Sequence, residues 1–340
     1  MRTATLIAMS GILVLIVAIA PWIGDMRVTW SDVASRWSDA PTVEGRVFWD
    51  LRMPRVLMAA VAGAALAVAG SVFQATFRNP LADPFTLGIS SGASVGAALS
   101  FHLGWNGLRF GMPLVTLAAL AGATVSVLLV YGVASLRRRA STDTLLLAGI
   151  SISFVCVAFV LMIEYLSREA VTNQTVRWLM GSVAFAGPRG LVNSLPLVLI
   201  GLGIVWYIRR DLDLLMMGEL VAAGRGVSLS RTRAAAYFAA SGMTAAVVAH
   251  CGPIAFVGLV VPHMVRAFGG PSHGFVLPAA ALTGAALLVG CDLVAARAMD
   301  WIKGSPLQIP VGVVTNLIGG LFFLYLLLTR GRREGGAAGM

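Results

Sequence analysis

Apolar stretches long enough to cross a lipid bilayer follow one another along almost the whole chain, and no gap between them is long enough to fold alone. A crossing helix needs about 20 apolar residues. Ten runs approach or meet that length: 4–23, 55–77, 85–103, 112–135, 144–166, 191–208, 232–250, 252–268, 274–297 and 309–329. The longest gap, 24–54, is too short to bury a soluble core. Charged residues make up 12% of the chain and hydrophobic residues 58%, against about 25% charged in an ordinary soluble domain. The expectation is an all-α polytopic membrane protein with about ten transmembrane helices. One domain covers 1–335, and the tail 336–340 is expected to be disordered.

The first run has a signal-peptide look, with Arg2 ahead and Ala18-Ile19-Ala20 behind. Pro21 follows directly and the run is long, so it reads as a retained span. Basic residues set the orientation. With ten spans, alternate loops divide the 25 Lys and Arg residues 14 to 11, and the richer side holds Arg137–Arg139 and Arg209–Arg210. That side is expected to be cytoplasmic, which places both termini there. Trp30, Trp37 and Trp49 in the first outer segment suit a membrane interface.

The stretch from Arg52 to Gly96 carries the densest pattern. Arg52-Met-Pro-Arg55 opens a small-residue run, Gln74 lies inside it, and Pro80 and Pro84 break it. Proline lacks an N–H and disfavours helix in the residue before it, so the chain must turn there. Gly88, Gly92 and Gly96 then fall on one helical stripe, which would let two backbones pack closely. Shifting the chain by 182 positions lays Gly70 on Gly252, Pro80 on Pro262, Gly88 on Gly270 and Gly92 on Gly274. The copies, within 55–103 and 232–297, would begin five spans apart and so run in opposite directions. Inverted repeats with broken helices are a transporter pattern.

Several chemistries are excluded. Gly88-Ile-Ser-Ser-Gly92 matches G-x-S-x-G, but a nucleophile elbow needs a strand-to-helix turn in an α/β sheet. There is no phosphate-binding loop, and His102, His250, His263 and His273 lack ligand spacing. His250-Cys251 could touch a metal chelate, although packing at a helix end is the simpler role. Cys156, Cys251 and Cys291 sit in apolar runs as small buried hydrophobes. Asp292 and Glu164 are the acids set deepest in the spans, and both lie toward span ends. That weighs against an ion-coupled carrier, which uses an ionisable group at mid-membrane. The loop 209–231 carries Met216-Met-Gly-Glu-Leu, an apolar-faced short helix suited to docking a soluble partner.

Together these motifs resemble the FecCD family. The matching residues are Arg52-x-Pro-Arg55, Gln74, Asn79-Pro-Leu-Ala-x-Pro84, Leu87-Gly-Ile-Ser-x-Gly92, Gly252-Pro-Ile-Ala-Phe-Val-Gly-Leu-Val-Val-Pro-His263-x-x-Arg266 and Ile309-Pro-Val-Gly-Val-Val-Thr315. The family comprises permease subunits of ABC importers for iron–siderophores, haem and vitamin B12. The resemblance implies a type II ABC importer permease fold and a homodimer around a central pathway. It implies two cytoplasmic ATPase subunits, which bind ATP and Mg, and a periplasmic binding protein. This chain would bind no cofactor or metal, perform no catalysis, and sit in the bacterial inner membrane. By the same resemblance, Arg52, Arg55 and Arg297 would dock the binding protein. Gly218, Glu219, Ala222 and Gly226 would couple to the ATPase, and Ser141 and Thr142 would form an inner gate. Arg225 stands where leucine is usual, and Gln308 where glutamate is common. The expected cargo is an iron chelate, with vitamin B12 the alternative. A proton-coupled secondary transporter is the reading from another class.

Overall fold

The computed structural model describes residues 2–24, 26–38, 40–105, 107–136, 142–303 and 308–335, and side chains at 86, 299–303, 326, 327 and 329–335 are left undescribed. In chain order the helices are α1 (Arg2–Ile19), α2 (Trp30–Ala34), α3 (Val43–Arg46), α4 (Met53–Thr76), α5 (Ile89–His102), α6 (Leu114–Ser135), α7 (Thr142–Leu166), α8 (Glu169–Leu179), α9 (Gly187–Tyr207), α10 (Arg209–Met217), α11 (Glu219–Gly224), α12 (Leu229–Cys251), α13 (Val257–Gly269), α14 (His273–Lys303) and α15 (Val311–Gly335). Each of the ten apolar runs coincides with one of them. Seven described segments are long and apolar enough to cross a membrane, while Val257–Gly269 and Val311–Tyr325 are shorter apolar helices. At 14 residues, α5 extends about 21 Å, less than the roughly 30 Å apolar thickness of a bilayer. It is short because the chain before it turns through Pro80 to Pro84, and Gly88 is left-handed at φ +82°. The tail 336–340 and Ser141 lie outside the described residues.

Among the described residues, strand structure enters at one place. β1 (Leu108–Arg109) and β2 (Met112–Pro113) pair antiparallel, Leu108 opposite Pro113 and Arg109 opposite Met112. Phe110 and Gly111 at the tip both have positive φ, as a two-residue turn that follows strand twist requires.

The centre of the bundle is α4 and α12. In each, 78% of the most apolar window is buried, against 6% for the segment holding α1 and 22% for α7. Apolar side chains on α1, α7 and α9 that face outward therefore suit a lipid surround. The central helices approach at backbone distance. A Cβ on Gly63 of α4 would lie 2.7 Å from the carbonyl carbon of Gly284 in α14. One on Gly92 of α5 would lie 2.6 Å from the carbonyl oxygen of Gly122 in α6, and one on Gly96 would lie 3.1 Å from Cα of Ala119. Small residues at such crossings let dispersion contacts between main chains replace side-chain packing. Phe73, Tyr131, Tyr237 and Phe238 fill the remaining space as an aromatic cluster, and the Tyr237 hydroxyl donates to the Val127 carbonyl at 3.3 Å.

The 182-residue register aligns these elements only in part: Gly88 at φ +82° stands just before α5 and Gly270 at φ +84° just before α14. Pro80 lies in the turn after α4, whereas Pro262 lies inside α13. Gly274 has only Ser272 Oγ near its would-be Cβ, so it makes no close crossing like that of Gly92. Glycine is frequent enough in apolar helices for a fixed shift to find matches that the helix boundaries do not share.

Candidate functional site

Two polar clusters stand at opposite ends of the α4–α14 pair. The first surrounds a cavity of about 330 Å³ lined by Arg52, Arg55, Arg297, Asp292 and Gln308 among apolar residues. A π-turn over Val47–Arg52 leads into α4, and Pro54 in its first turn needs no helical donor there. Arg52 and Arg55 therefore sit one turn apart on one face. Each nitrogen of the Arg55 guanidinium donates within the chain. Its Nε and Nη2 donate to the two carboxylate oxygens of Asp292 at 2.7 and 2.9 Å, and its Nη1 donates to Gln308 Oε1 at 2.6 Å. The Asp292 side chain is 7% exposed and that of Arg55 21%. Arg52 donates to the carbonyls of Pro21 at 3.1 Å and Met26 at 2.7 Å. Among the described residues of the lining there are three guanidiniums and one carboxylate.

Read from sequence, Arg55 is a docking group; in the fold it is also a bidentate partner of Asp292. Gln308, given no role from sequence, holds its third nitrogen. The signal available was Asp292 itself, because an acid inside an apolar run needs a partner.

The second cluster is the loop expected to couple to a partner. α10 ends at Gly218, which takes φ +129° and ψ 152°, a conformation that side chains resist. α11 follows, and Gly226 at φ +83° turns the chain toward α12. Ala222 is fully buried within the chain, against the expectation that it faces a partner. Its carbonyl accepts from the N–H groups of Arg225 and Val227. Glu219 pairs with Arg233 at the start of α12. The residues presented outward are Met217, 69% exposed, and Leu220, 90% exposed. A six-residue helix makes fewer than two turns, too few for sequence periodicity to say which face is buried.

Asp213 of α10 reaches the first residue of α14. Its Oδ1 accepts from the His273 backbone N–H at 2.7 Å and lies 2.6 Å from His273 Nδ1, and its Oδ2 accepts from Ser272 Oγ at 3.4 Å. Burial by itself raises the Asp213 carboxyl, but the bonds from His273 outweigh it and hold it below the usual carboxylate range. A carboxylate there caps a helix N-terminus across tertiary structure.

Other motif residues join the same helices. Gln74 of α4 donates to the Gly258 carbonyl at 3.3 Å and accepts from Arg266, tying α4 to α13. Asp83 accepts backbone bonds from Phe85 and from Phe256, the left-handed residue before α13. His250 is buried at the end of α12, with Nδ1 2.8 Å from the Ala246 carbonyl, so it packs the helix end. Thr142 opens α7. All three cysteines are free, and no group of three or more metal-ligating side chains occurs among the described residues.

Known proteins resemble this chain over most of its length. The model of the FecCD transport family matches residues 12–329. The cobalamin import system permease BtuC of Halobacterium salinarum is 38% identical, over 82% of this chain and 73% of that protein. The vitamin B12 import system permease BtuC of Escherichia coli is 37% identical, over 86% of this chain and 87% of its own length. The ABC transporter permease YvrB of Bacillus subtilis is 36% identical, over 90% of this chain and 86% of its own. A solved chain of an ABC transporter assigned to the metal-chelate type, in an inward-facing conformation, superposes with a TM-score of 0.84 at 29% identity, covering 96% of this chain and 99% of that one. A multi-pass apolar bundle with these relatives is a transport permease, and the chain belongs to the FecCD transport family.

Proposed function

We propose that this chain is the membrane subunit of a type II ABC importer that carries a metal chelate inward across the bacterial inner membrane. The observation that carries the reading is the placement of two partner-facing features at opposite ends of the bundle. One is the cavity lined by Arg52, Arg55 and Arg297. The other is the apolar pair Met217 and Leu220 beside Gly218. Guanidiniums suit capture of carboxylates from a binding protein. Exposed apolar side chains on a short helix suit insertion into a soluble subunit. ATP-driven closure of two ATPase subunits would move α10 and α11 in each half of a homodimer, opening a central pathway alternately to each side. Both termini then lie in the cytoplasm with the basic loops. Thr142, at the start of α7, belongs to the inner gate on this reading.

Cobalamin stands beside iron chelates as cargo, because two of the relatives are cobalamin permeases and the solved neighbour is of metal-chelate type. Arg55 neutralises Asp292, which weighs against that acid as a site of proton coupling. The test is uptake into proteoliposomes holding the permease with its ATPase and binding protein. ATP-dependent accumulation of labelled cyanocobalamin or of a ferric siderophore is expected. Accumulation on a proton gradient without the ATPase would refute the assignment.

A further inference from the structure

Two sets of contacts fasten α14 toward its ends. Near one end it is tied to the α10–α11 loop, and toward the other it forms part of the arginine cavity. His273, fully buried, meets Asp213 through both its backbone N–H and its ring. Nineteen residues on, Asp292 holds Arg55, which holds Gln308 ahead of α15. At 1.5 Å per residue these points are about 28 Å apart, close to the thickness of a bilayer's apolar core. Between them Gly284 meets Gly63 of α4 at backbone distance. That contact lies eight residues from Asp292 on α14 and eight from Arg55 on α4, so the two helices run antiparallel in fixed register through it.

A stiff helix held near its middle and fastened toward both ends moves as a lever: a shift at one end tilts the other. Pro278 deprives the Gly274 carbonyl of its helical partner, so the first turn of α14 depends on the Asp213 cap to stay in line with the rest. We propose that Asp213 and His273 are a positioning pair, and that through α14 they transmit displacement of the α10–α11 loop to the Arg55–Asp292–Gln308 cluster. This rests on the importer reading, in which those two ends face the ATPase and the binding protein. Coupling of this kind is reciprocal in free energy.

The test is hydrogen–deuterium exchange on the full-length permease in lipid nanodiscs. Asp213→Ala and His273→Ala should each speed exchange at the first turn of α14, and also about fivefold at 50–56 and 290–295. Asp213→Asn keeps an acceptor for the same N–H and should stay within twofold of wild type at both ends. Acceleration confined to the α10 end would overturn the proposal. So would loss of assembly by both alanine variants, which would mark the pair as a structural cap alone. In the assembled transporter, the ratio of ATP hydrolysis with and without docked binding protein should fall about fivefold in His273→Ala. A wild-type complex whose hydrolysis ignores the binding protein would instead refute the importer reading, whatever the exchange experiment shows.

Discussion

Gly92 offers the sharpest measurement of how the bundle is held. Gly92→Ala places a methyl group 2.6 Å from the Gly122 carbonyl oxygen and closer still to Ser126 Cβ. Neither is the tip of a flexible side chain, so α5 and α6 must part. Forced overpacking of this kind costs about 1–3 kcal/mol, and a gap opened along the seam forfeits further dispersion contacts. The same substitution gains up to about 1 kcal/mol of helix propensity. Gly132 of α6 isolates that gain, because nothing lies within 4 Å of its would-be Cβ. Gly132→Ala should be neutral or stabilising, and Gly92→Ala should fall below it by roughly the overpacking cost, about 1–3 kcal/mol. Unfolding by SDS in mixed micelles, followed by tryptophan fluorescence, reads the difference. A Gly92→Ala permease as stable as Gly132→Ala would show that the helices do not touch as described.

Three further outcomes follow from the polar clusters. Arg55→Ala strands the buried Asp292 carboxylate and should cost about 3–5 kcal/mol; adding Asp292→Ala should recover part of that in the same unfolding assay, and strictly additive losses would deny the pair. Ala222→Asp should destabilise the isolated permease, because Ala222 is buried in its own chain, whereas Leu220→Asp should leave the permease folded but weaken co-purification with the ATPase; the reverse pattern would mean the buried and docking faces of α11 are exchanged. Burial pushes the Asp83 carboxyl from 3.8 up to about 6, with the Phe85 and Phe256 N–H groups opposing. The folded state then binds this proton more tightly than the unfolded chain, so the Asp83 contribution to stability falls as pH rises from about 4 to about 6. Asp83→Asn should flatten that part of the profile, and identical profiles for the two proteins would refute it.

The helices were legible because lipid leaves the backbone little choice. With no water to bond, each apolar run must satisfy its own N–H and C=O groups, and all ten runs became helices. Direction within the short elements was not legible. In α11, Leu220 and Ala222 are two residues apart and both apolar, so composition could not say that Ala222 is buried and Leu220 exposed. Nor was the partner of Arg55 readable. Asp292 lies 237 residues away in sequence, and only the α4–α14 crossing at Gly63 and Gly284 brings the two together.

That crossing also explains why an arginine at the edge of an apolar run can look like a free docking group and yet be bound. An unpaired carboxylate within a bundle is expensive, so Asp292 takes the nearest guanidinium on the helix packed against it. Asp292 uses both oxygens on Arg55, and Gln308 supplies a neutral acceptor for the remaining Nη1. A visiting carboxylate would therefore gain more by displacing Gln308 from that nitrogen than by displacing Asp292, because it would replace a neutral acceptor with a charged one and leave the buried pair intact. Gln308→Glu would put such a charge there permanently. It should strengthen the hold on Arg55 and weaken binding-protein docking, with the larger effect at low salt, where attraction between partly exposed charges is least screened. Docking measured on nanodiscs across a salt series separates the cases. An affinity unchanged by Gln308→Glu at every salt concentration would remove Arg55 from the docking surface and leave that role to Arg52 and Arg297.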